Sequence, residues 1–332
     1  MGIILGNRLI QHPVLLAPMS GVTDRPFRRL VRRLGAGLVI SEMIASEAVI
    51  REARQTIKES RKLTDDAGAE FPLAVQLAGC DPEIMAEAAR INADRGAAII
   101  DINFGCPVKK VVNKYAGSAI MQDERLAARI MAATVRAVSL PVTLKMRTGW
   151  DQANRNAPRL ARIAEECGIR MIAVHGRTRA QMYSGSADWR FVSRVKDAVE
   201  VPVIVNGDLR SLEDVSRALK LSRADGVMIG RGAYGRPWFL NQVIHHLNGD
   251  KIPAEPALET RRDLMLEHYD AMLSHYGRYG GVRIARKHLG WYARGLAKAA
   301  EFRAAVNREE APERVETMIR DLFDAQTMQE AA

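Results

Sequence analysis

The octapeptide Ile100-Asp101-Ile102-Asn103-Phe104-Gly105-Cys106-Pro107 holds the clearest chemistry in this chain. Its apolar residues read as a short buried strand, and Gly105 and Pro107 mark a turn that hands a thiol to a loop. A cysteine there can give or take a proton beside whatever sits at the strand's end. Asn103, three residues earlier, can hydrogen-bond an amide-like ring. A reaction on a pyrimidine base needs those two groups. No base flanks Cys106 in sequence, so its thiol stays largely protonated near neutrality, the free pKa being about 8.5. That suits a proton donor better than a nucleophile. Cys80, after Gly79, is the fallback, and Cys167 before Gly168 reads as structural.

Other polar residues also close apolar runs. They are Met19 and Ser20, Glu42, Gln76, Lys145 with Arg147, His175 with Arg177, Asn206-Gly207-Asp208 and Gly230-Arg231. Lys145 can neutralise a phosphate or stabilise the reduced, anionic form of an electron-accepting ring. Gln76 offers an amide that could bond a flavin's carbonyl or ring nitrogen. The glycines at 207 and 230 suit backbone N–H groups that grip a phosphate. Gly230 to Gly235 also matches the dinucleotide pattern G-x-G-x-x-G. Its acidic partner would be Asp250, which sits in a linker rather than at a strand end, so a phosphate grip is the sounder reading.

The elements that must position these groups are eight apolar, β-branched-rich runs: Val14–Ala17, Leu38–Ser41, Leu73–Gln76, Ile99–Asn103, Val142–Lys145, Met171–His175, Val203–Asn206 and Gly226–Ile229. Such runs suit parallel strands buried on both faces. Helix-like stretches separate them, including Asp81–Arg95, Glu124–Val138 and Asn156–Cys167. Eight strand–helix units in about 240 residues is the rhythm of a (β/α)8 barrel, with a doubly wound sheet as the rival. In a barrel, all the polar strand ends gather at one mouth. The run from Asn248 to Pro256 is a polar linker, after which Glu259–Gly277 and Gly281 to about Gln326 read as helices. The expected fold is a (β/α)8 TIM barrel over residues 1–245 and an all-helical domain over 255–332.

Composition narrows the class. The 332 residues are 47% hydrophobic and 27% charged, ordinary for a globular protein. No membrane span and no signal peptide is expected. Three sparse cysteines point to a reducing cytoplasm, and no metal site is expected. The net charge of +10 hints at a polyanionic partner. The charge is concentrated: Arg278 to Arg308 carries +7, whereas Glu309 to Ala332 carries −5. On one unbroken helix, Arg283, Lys287, Arg294 and Lys298 would fall within roughly 60° of one another, near Trp291, as a stripe that could track a phosphate backbone. Gly290 and Gly295 weaken the assumption of one helix. Lys109, Lys110 and Lys114 form a second basic loop beside the thiol, a candidate lid.

Taken together, the motifs Ala17-Pro-Met19, Gly21–Phe27, Ser41-Glu-Met43, Asp101–Pro107, Leu144–Gly149, His175–Arg179, Asn206-Gly-Asp208 and Arg283–His288 resemble the bacterial tRNA-dihydrouridine synthases, most closely the DusB branch, over nearly the whole chain. The resemblance implies an FMN barrel that uses NADPH to reduce a uridine of the tRNA D-loop, position 17 leading. It implies hydride transfer from flavin N5 to uracil C6 and a proton from Cys106 to C5. Pro18, Met19 and Ser20 would lie against the isoalloxazine, with Gln76 and Lys145 at the ring system. His175, Asn206, Gly207, Asp208, Gly230 and Arg231 would hold the phosphate end and its surroundings. Asn103, Lys145 and Arg147 would orient the uracil. The tRNA would dock on Arg283, Arg286 and Lys287. A monomer is expected. The alternatives are an FMN barrel acting on a free pyrimidine, which leaves the basic helical tail unexplained, and a non-catalytic tRNA-binding protein.

Overall fold

The computed structural model describes residues 2–55 and 72–330. It opens on a hairpin of β1 (Ile3–Leu5) and β2 (Arg8–Ile10), paired antiparallel around Gly6-Asn7. Eight parallel positions then close into a barrel: β3 (Val14–Leu16), β4 (Leu38–Ile40) continued by β5 (Ile44–Ala45), β6 (Leu73–Ala78), β7 (Ile99–Phe104), β8 (Val142–Arg147), β9 (Ile172–His175), β10 (Val203–Asn206) and β11 (Gly226–Ile229). Each expected apolar run holds one of these positions, and the polar strand ends lie at one mouth.

Inward and outward residues alternate. Val14, Val75, Ile100, Ile102, Leu144, Val174 and Val205 face the surrounding helices in one core. Leu15, Leu38, Ile99, Met171, Ile204 and Met228 fill the barrel interior in another, which Ile3, Leu5 and Ile10 of the hairpin join. Each fully buried aliphatic side chain of this kind contributes about 1.5–3 kcal/mol. Higher up, the inward positions become polar. In strand register, Gln76, Asp101 and Thr143 are lateral neighbours, as are Asn103 and Lys145, and Arg147, His175 and Asn206.

The second barrel position is interrupted. Ile40 pairs with Ala74 and Ile44 with Leu77, so the first strand spends one more residue than its partner, a bulge at the rim. Ser41 bridges the gap: its N–H donates to the Ala74 carbonyl, and its Oγ accepts from the Gln76 N–H at 3.0 Å.

The barrel helices are α1 (Arg25–Arg33), α2 (Ser46–Gln55), α3 (Pro82–Asp94), α4 (Lys109–Val112), α5 (Glu124–Ala137), α6 (Ala157–Glu166), α7 (Trp189–Lys196), α8 (Leu212–Ser222) and α9 (Phe239–Asn248). Asp81 caps α3 by accepting from the Glu83 and Ile84 N–H groups, with Pro82 in the first turn. Ser211 and Asp214 form a capping box on α8.

The α9 helix runs past residue 245, and the linker beyond it is pinned to the barrel. Glu255 accepts from Arg236 and from Trp238 Nε1, and Gln242 donates to the Pro253 carbonyl. Next come α10 (Leu258–Tyr292), α11 (Ala299–Val306) and α12 (Pro312–Glu330), sharing a core of Met265, Met272, Leu289, Phe302, Val315 and Ile319. Leu30 of α1 and Trp238 join that core, so the helical region is built onto the barrel. Gly277 breaks α10 with φ 75° and ψ 161°, where the first expected helix ends. Among the described residues no helix is long and apolar enough to cross a membrane.

The four-residue basic stripe does not form. The α10 helix stops at Tyr292, Gly295 has φ +85°, and Lys298 takes a left-handed conformation. Arg294 and Lys298 therefore leave the line that Arg283 and Lys287 begin.

Candidate active site

A cavity of about 580 Å³ opens at the carboxyl ends of the strands. Its lining includes Pro18, Met19, Ser20, Gln76, Asn103, Cys106, Lys145, Arg147, His175, Asn206, Gly207, Asp208, Gly230 and Arg231. Every residue expected at the catalytic, cofactor or uracil positions is brought together here.

The turn carrying Cys106 is held on several sides. Asn103 Oδ1 accepts from the N–H groups of Gly105 (3.0 Å) and Cys106 (2.9 Å), an Asx turn that aims the thiol. Arg147 Nε donates to the Gly105 carbonyl at 2.8 Å. Ser118 donates twice to the Cys106 carbonyl, from its N–H at 3.1 Å and its Oγ at 2.8 Å. Gly117 has φ +61°, and a Cβ there would meet the Cys106 carbonyl at 2.8 Å. The intervening loop, with Lys109, Lys110 and Lys114 all exposed, is thus closed at its stem. Tyr115, 76% exposed with φ 53°, belongs to the same loop, two residues before Gly117. Burial pushes the Cys106 thiol up, and the Val108 N–H, Arg147 and Lys145 only partly offset it.

Asn103 therefore spends its carbonyl on the turn. Its Nδ2 donates to Gln76 Oε1 at 2.6 Å. Arg147 is similarly committed, since its Nη1 donates to the carbonyls of Thr178 and Met182, both at 2.8 Å. Burial lowers the Arg147 pKa to about 10. Lys145 differs: its ammonium makes no hydrogen bond or ion pair with another described residue. Burial and the neighbouring Arg147 lower its pKa to about 8.

Across the mouth, His175 Nδ1 accepts from the Arg177 N–H, which leaves the ring proton on Nε2. Burial, reinforced by Lys145, Arg147 and two further arginines, holds His175 neutral. Asp208 is a clamp. It accepts from Arg177 Nη1 (3.0 Å) and Nη2 (2.6 Å), from Arg231 Nη2 (3.0 Å) and from the Ala187 N–H (2.9 Å). Burial alone would raise its carboxyl, but these bonds and charges hold it below the usual range. Asn206 Nδ2 donates to the Met228 carbonyl. Gly207 has φ +111°, and a Cβ there would crowd Ala187 at 2.9 Å and His175 Nε2 at 3.2 Å. A Cβ on Gly230 would stand 3.4 Å from Met19 Sδ. Side chains at either position would fill the cradle that these loops form. Gly232 and Gly235 pack against the carbonyls of Leu209 and Trp291.

Several lining residues escaped the sequence reading: Met43, Tyr183, Leu209, Arg210 and Tyr234. Tyr183, 54% exposed, lies between the guanidinium groups of Arg147 (5.7 Å) and Arg231 (5.4 Å). Tyr234 stacks on Trp291 of α10 at 3.9 Å, tying the mouth to the helical region. Arg177 was read as a strand-end residue and is a buried anchor. Of the residues expected to dock tRNA, Arg283 is exposed. Arg286 donates to the Glu309 carbonyl at 2.9 Å. Lys287 turns toward the barrel, its Nζ 3.9 Å from where a Cβ on Gly21 would sit and within the fields of Asp24 and Glu42.

Fold and site together define a closed (β/α)8 barrel with a polar cavity at the strand ends, a half-buried thiol on one side of it and glycine-built loops on the other. A family model described as dihydrouridine synthase (Dus) matches residues 15–330, and the chain belongs to that family. A probable tRNA-dihydrouridine synthase of Rickettsia bellii (strain RML369-C) is 55% identical over 320 residues, 96% of this chain and 97% of that protein. The tRNA-dihydrouridine synthase B of Xanthomonas axonopodis pv. citri (strain 306) is 50% identical over 321 residues, 97% and 96% of the two chains. Two solved structures superpose with a TM-score of 0.51 at 15% identity, each over 78% of this chain: a variant of NCR from Zymomonas mobilis and a morphinone reductase mutant in complex with tetrahydroNAD. At that identity they attest the barrel fold alone.

Proposed function

We propose that this chain is a tRNA-dihydrouridine synthase that reduces a D-loop uridine to 5,6-dihydrouridine, with FMN bound and NADPH as reductant. The observation that carries this reading is the Cys106 thiol, kept protonated and fixed at the rim of a cavity whose far side is a glycine-built anion cradle. Residues 1–245 form the catalytic part and residues 255–332 the part that docks tRNA. The protein works in the cytoplasm as a monomer.

The residues present suit a flavin mononucleotide. Gly207, Gly230 and Arg231 offer backbone space and positive charge for its phosphate. Pro18, Met19 and Ser20 line the wall for its ring system, and Gln76 and Lys145 present polar groups to it. When bound, FMN supplies the hydride that adds to uracil C6.

The protein's own contribution is positioning and proton control. The uridine must leave its stack to reach a strand-end cavity, at a cost of a few kcal/mol. Addition at C6 drives charge onto the uracil carbonyl oxygen O4. Lys145, whose ammonium is not spent on the protein, is the donor for that charge. Arg147, committed to three carbonyls, fixes the turn instead. Cys106 then delivers its proton to C5, and its raised pKa keeps that proton available through neutral pH. The lysines and Tyr115 of the closed loop give phosphate and base contacts beside the thiol.

The purified protein should be yellow, bleach with NADPH and recover its colour on adding tRNA lacking dihydrouridine. Dihydrouridine should then be found in that tRNA. Recovery with free uracil or orotate but not tRNA would overturn the reading in favour of a free-pyrimidine enzyme.

A further inference from the structure

We infer that Asp101 and Thr143, which lie beneath the cavity and do not line it, are positioning residues for the Cys106 thiol, acting through an ordered relay of side-chain amides. The inference rests on the proposed role of Cys106 as proton donor. Asp101 is 1% exposed and Thr143 0%. They flank one another on β7 and β8, with Gln76 on the other side of Asp101 on β6.

The bonds run in one direction. Thr143 Oγ1 donates to Asp101 Oδ1 at 2.5 Å, and Gln76 Nε2 donates to Asp101 Oδ2 at 2.7 Å. Gln76 therefore presents its Oε1 to Asn103, whose Nδ2 donates at 2.6 Å. Asn103 in turn presents its Oδ1 to the N–H groups of Gly105 and Cys106.

A primary amide has one accepting and one donating end, so each could face either way. The two ends of the relay remove that choice. Backbone N–H groups can only donate, and a carboxylate can only accept. Reversing Gln76 would set its NH2 against the NH2 of Asn103 and its carbonyl against Asp101. The buried carboxylate thus selects the arrangement that holds the thiol's turn, two side chains away. Burial pushes the Asp101 carboxyl up, and the bonds from Thr143 and Gln76 and the Lys145 ammonium only partly offset it; Oδ2 accepts from Gln76 in either protonation state of Oδ1.

Asp101→Asn changes one heavy atom and gives the end of the relay a donor, so direction becomes optional. Thr143→Val removes a bond that fixes the carboxylate. The readout is alkylation of Cys106 by iodoacetamide in the intact protein, resolved by peptide mass, with Cys80 and Cys167 as internal references. The Asp101→Asn variant should react about fivefold faster at Cys106, and the Thr143→Val variant about twofold, because a looser turn exposes the thiolate more often. The references should not move, whereas general loosening of the fold would accelerate all three. The solvent deuterium isotope effect on tRNA reduction should also rise in Asp101→Asn, while reduction of the bound flavin by NADPH keeps its rate.

A folded Asp101→Asn protein with unchanged Cys106 reactivity overturns the inference. Should that variant not fold, unchanged reactivity in Thr143→Val overturns it equally. A parent protein that makes no dihydrouridine would defeat the proposed function instead, and the alkylation result would still report on the relay.

Discussion

The two halves of the barrel mouth are built by opposite means. Over β6, β7 and β8, side chains reach onto backbone: Asn103, Arg147 and Ser118 all bond the main chain around Cys106. Over β10 and β11, side chains withdraw. Gly207 and Gly230 line the cavity without a side chain, and Asp208 holds Arg177 and Arg231 to one side. A reacting atom must be aimed, and aiming takes bonds on several sides. An anion cradle needs room for N–H groups to approach, and the absence of Cβ atoms provides it.

This contrast predicts which variants lose chemistry and which lose cofactor. The largest effect is expected for Cys106→Ala. It should retain FMN and tRNA binding yet lose about 10²–10⁴-fold in turnover, as for a removed general acid. Dihydrouridine formation at near-normal rate would end the assignment. On the other half, Gly207→Val should fail differently. Its φ of +111° and the crowding at His175 leave no room for a branched side chain, so flavin absorbance per chain should fall severalfold while Cys106 stays alkylatable.

Titration separates the halves next. The rate of tRNA reduction should decline as pH passes about 8, where Lys145 loses its proton. Cys106 has its pKa raised and so keeps its own, and buried His175 is neutral throughout. Single-turnover rates measured between pH 6 and 9 would test this, and a flat profile would count against Lys145 as the donor. The smallest effect belongs to the rim. Arg283→Gln should weaken tRNA affinity modestly and reduce the salt slope by about one unit without touching flavin content. Lys287→Gln, by contrast, should act mainly on stability, because Lys287 faces Asp24 and Glu42.

Much of this contrast was legible in the residues. All eight strands declared themselves because buried parallel strands are continuous apolar runs, and their polar ends marked the mouth. Gly105 and Pro107 singled out Cys106 as a turn residue. What escaped was of two kinds. Tyr183, Met43 and Tyr234 lie on excursions without periodicity, so nothing local says that they return to the cavity. The hairpin had a faint signal in Gly6-Asn7, but three-residue strands carry too little pattern. The basic stripe failed because angular spacing presumes an unbroken helix, and α10 stops at Tyr292, before Arg294 and Lys298. Asn103 was placed at the cavity, but its amide reads in sequence only as a ligand contact, and the folded turn alone reveals that its oxygen also accepts from two backbone N–H groups.

The hairpin of Ile3 to Ile10 has a kinetic meaning. It stoppers the lower end of the barrel, and Leu15, Leu38, Ile99 and Met228 pack the interior above it. Among the described residues that end is filled, and the cavity lies at the strand ends. On the proposed function, the reducing dinucleotide and the tRNA both come to that cavity, so each should inhibit competitively against its counterpart in steady-state kinetics.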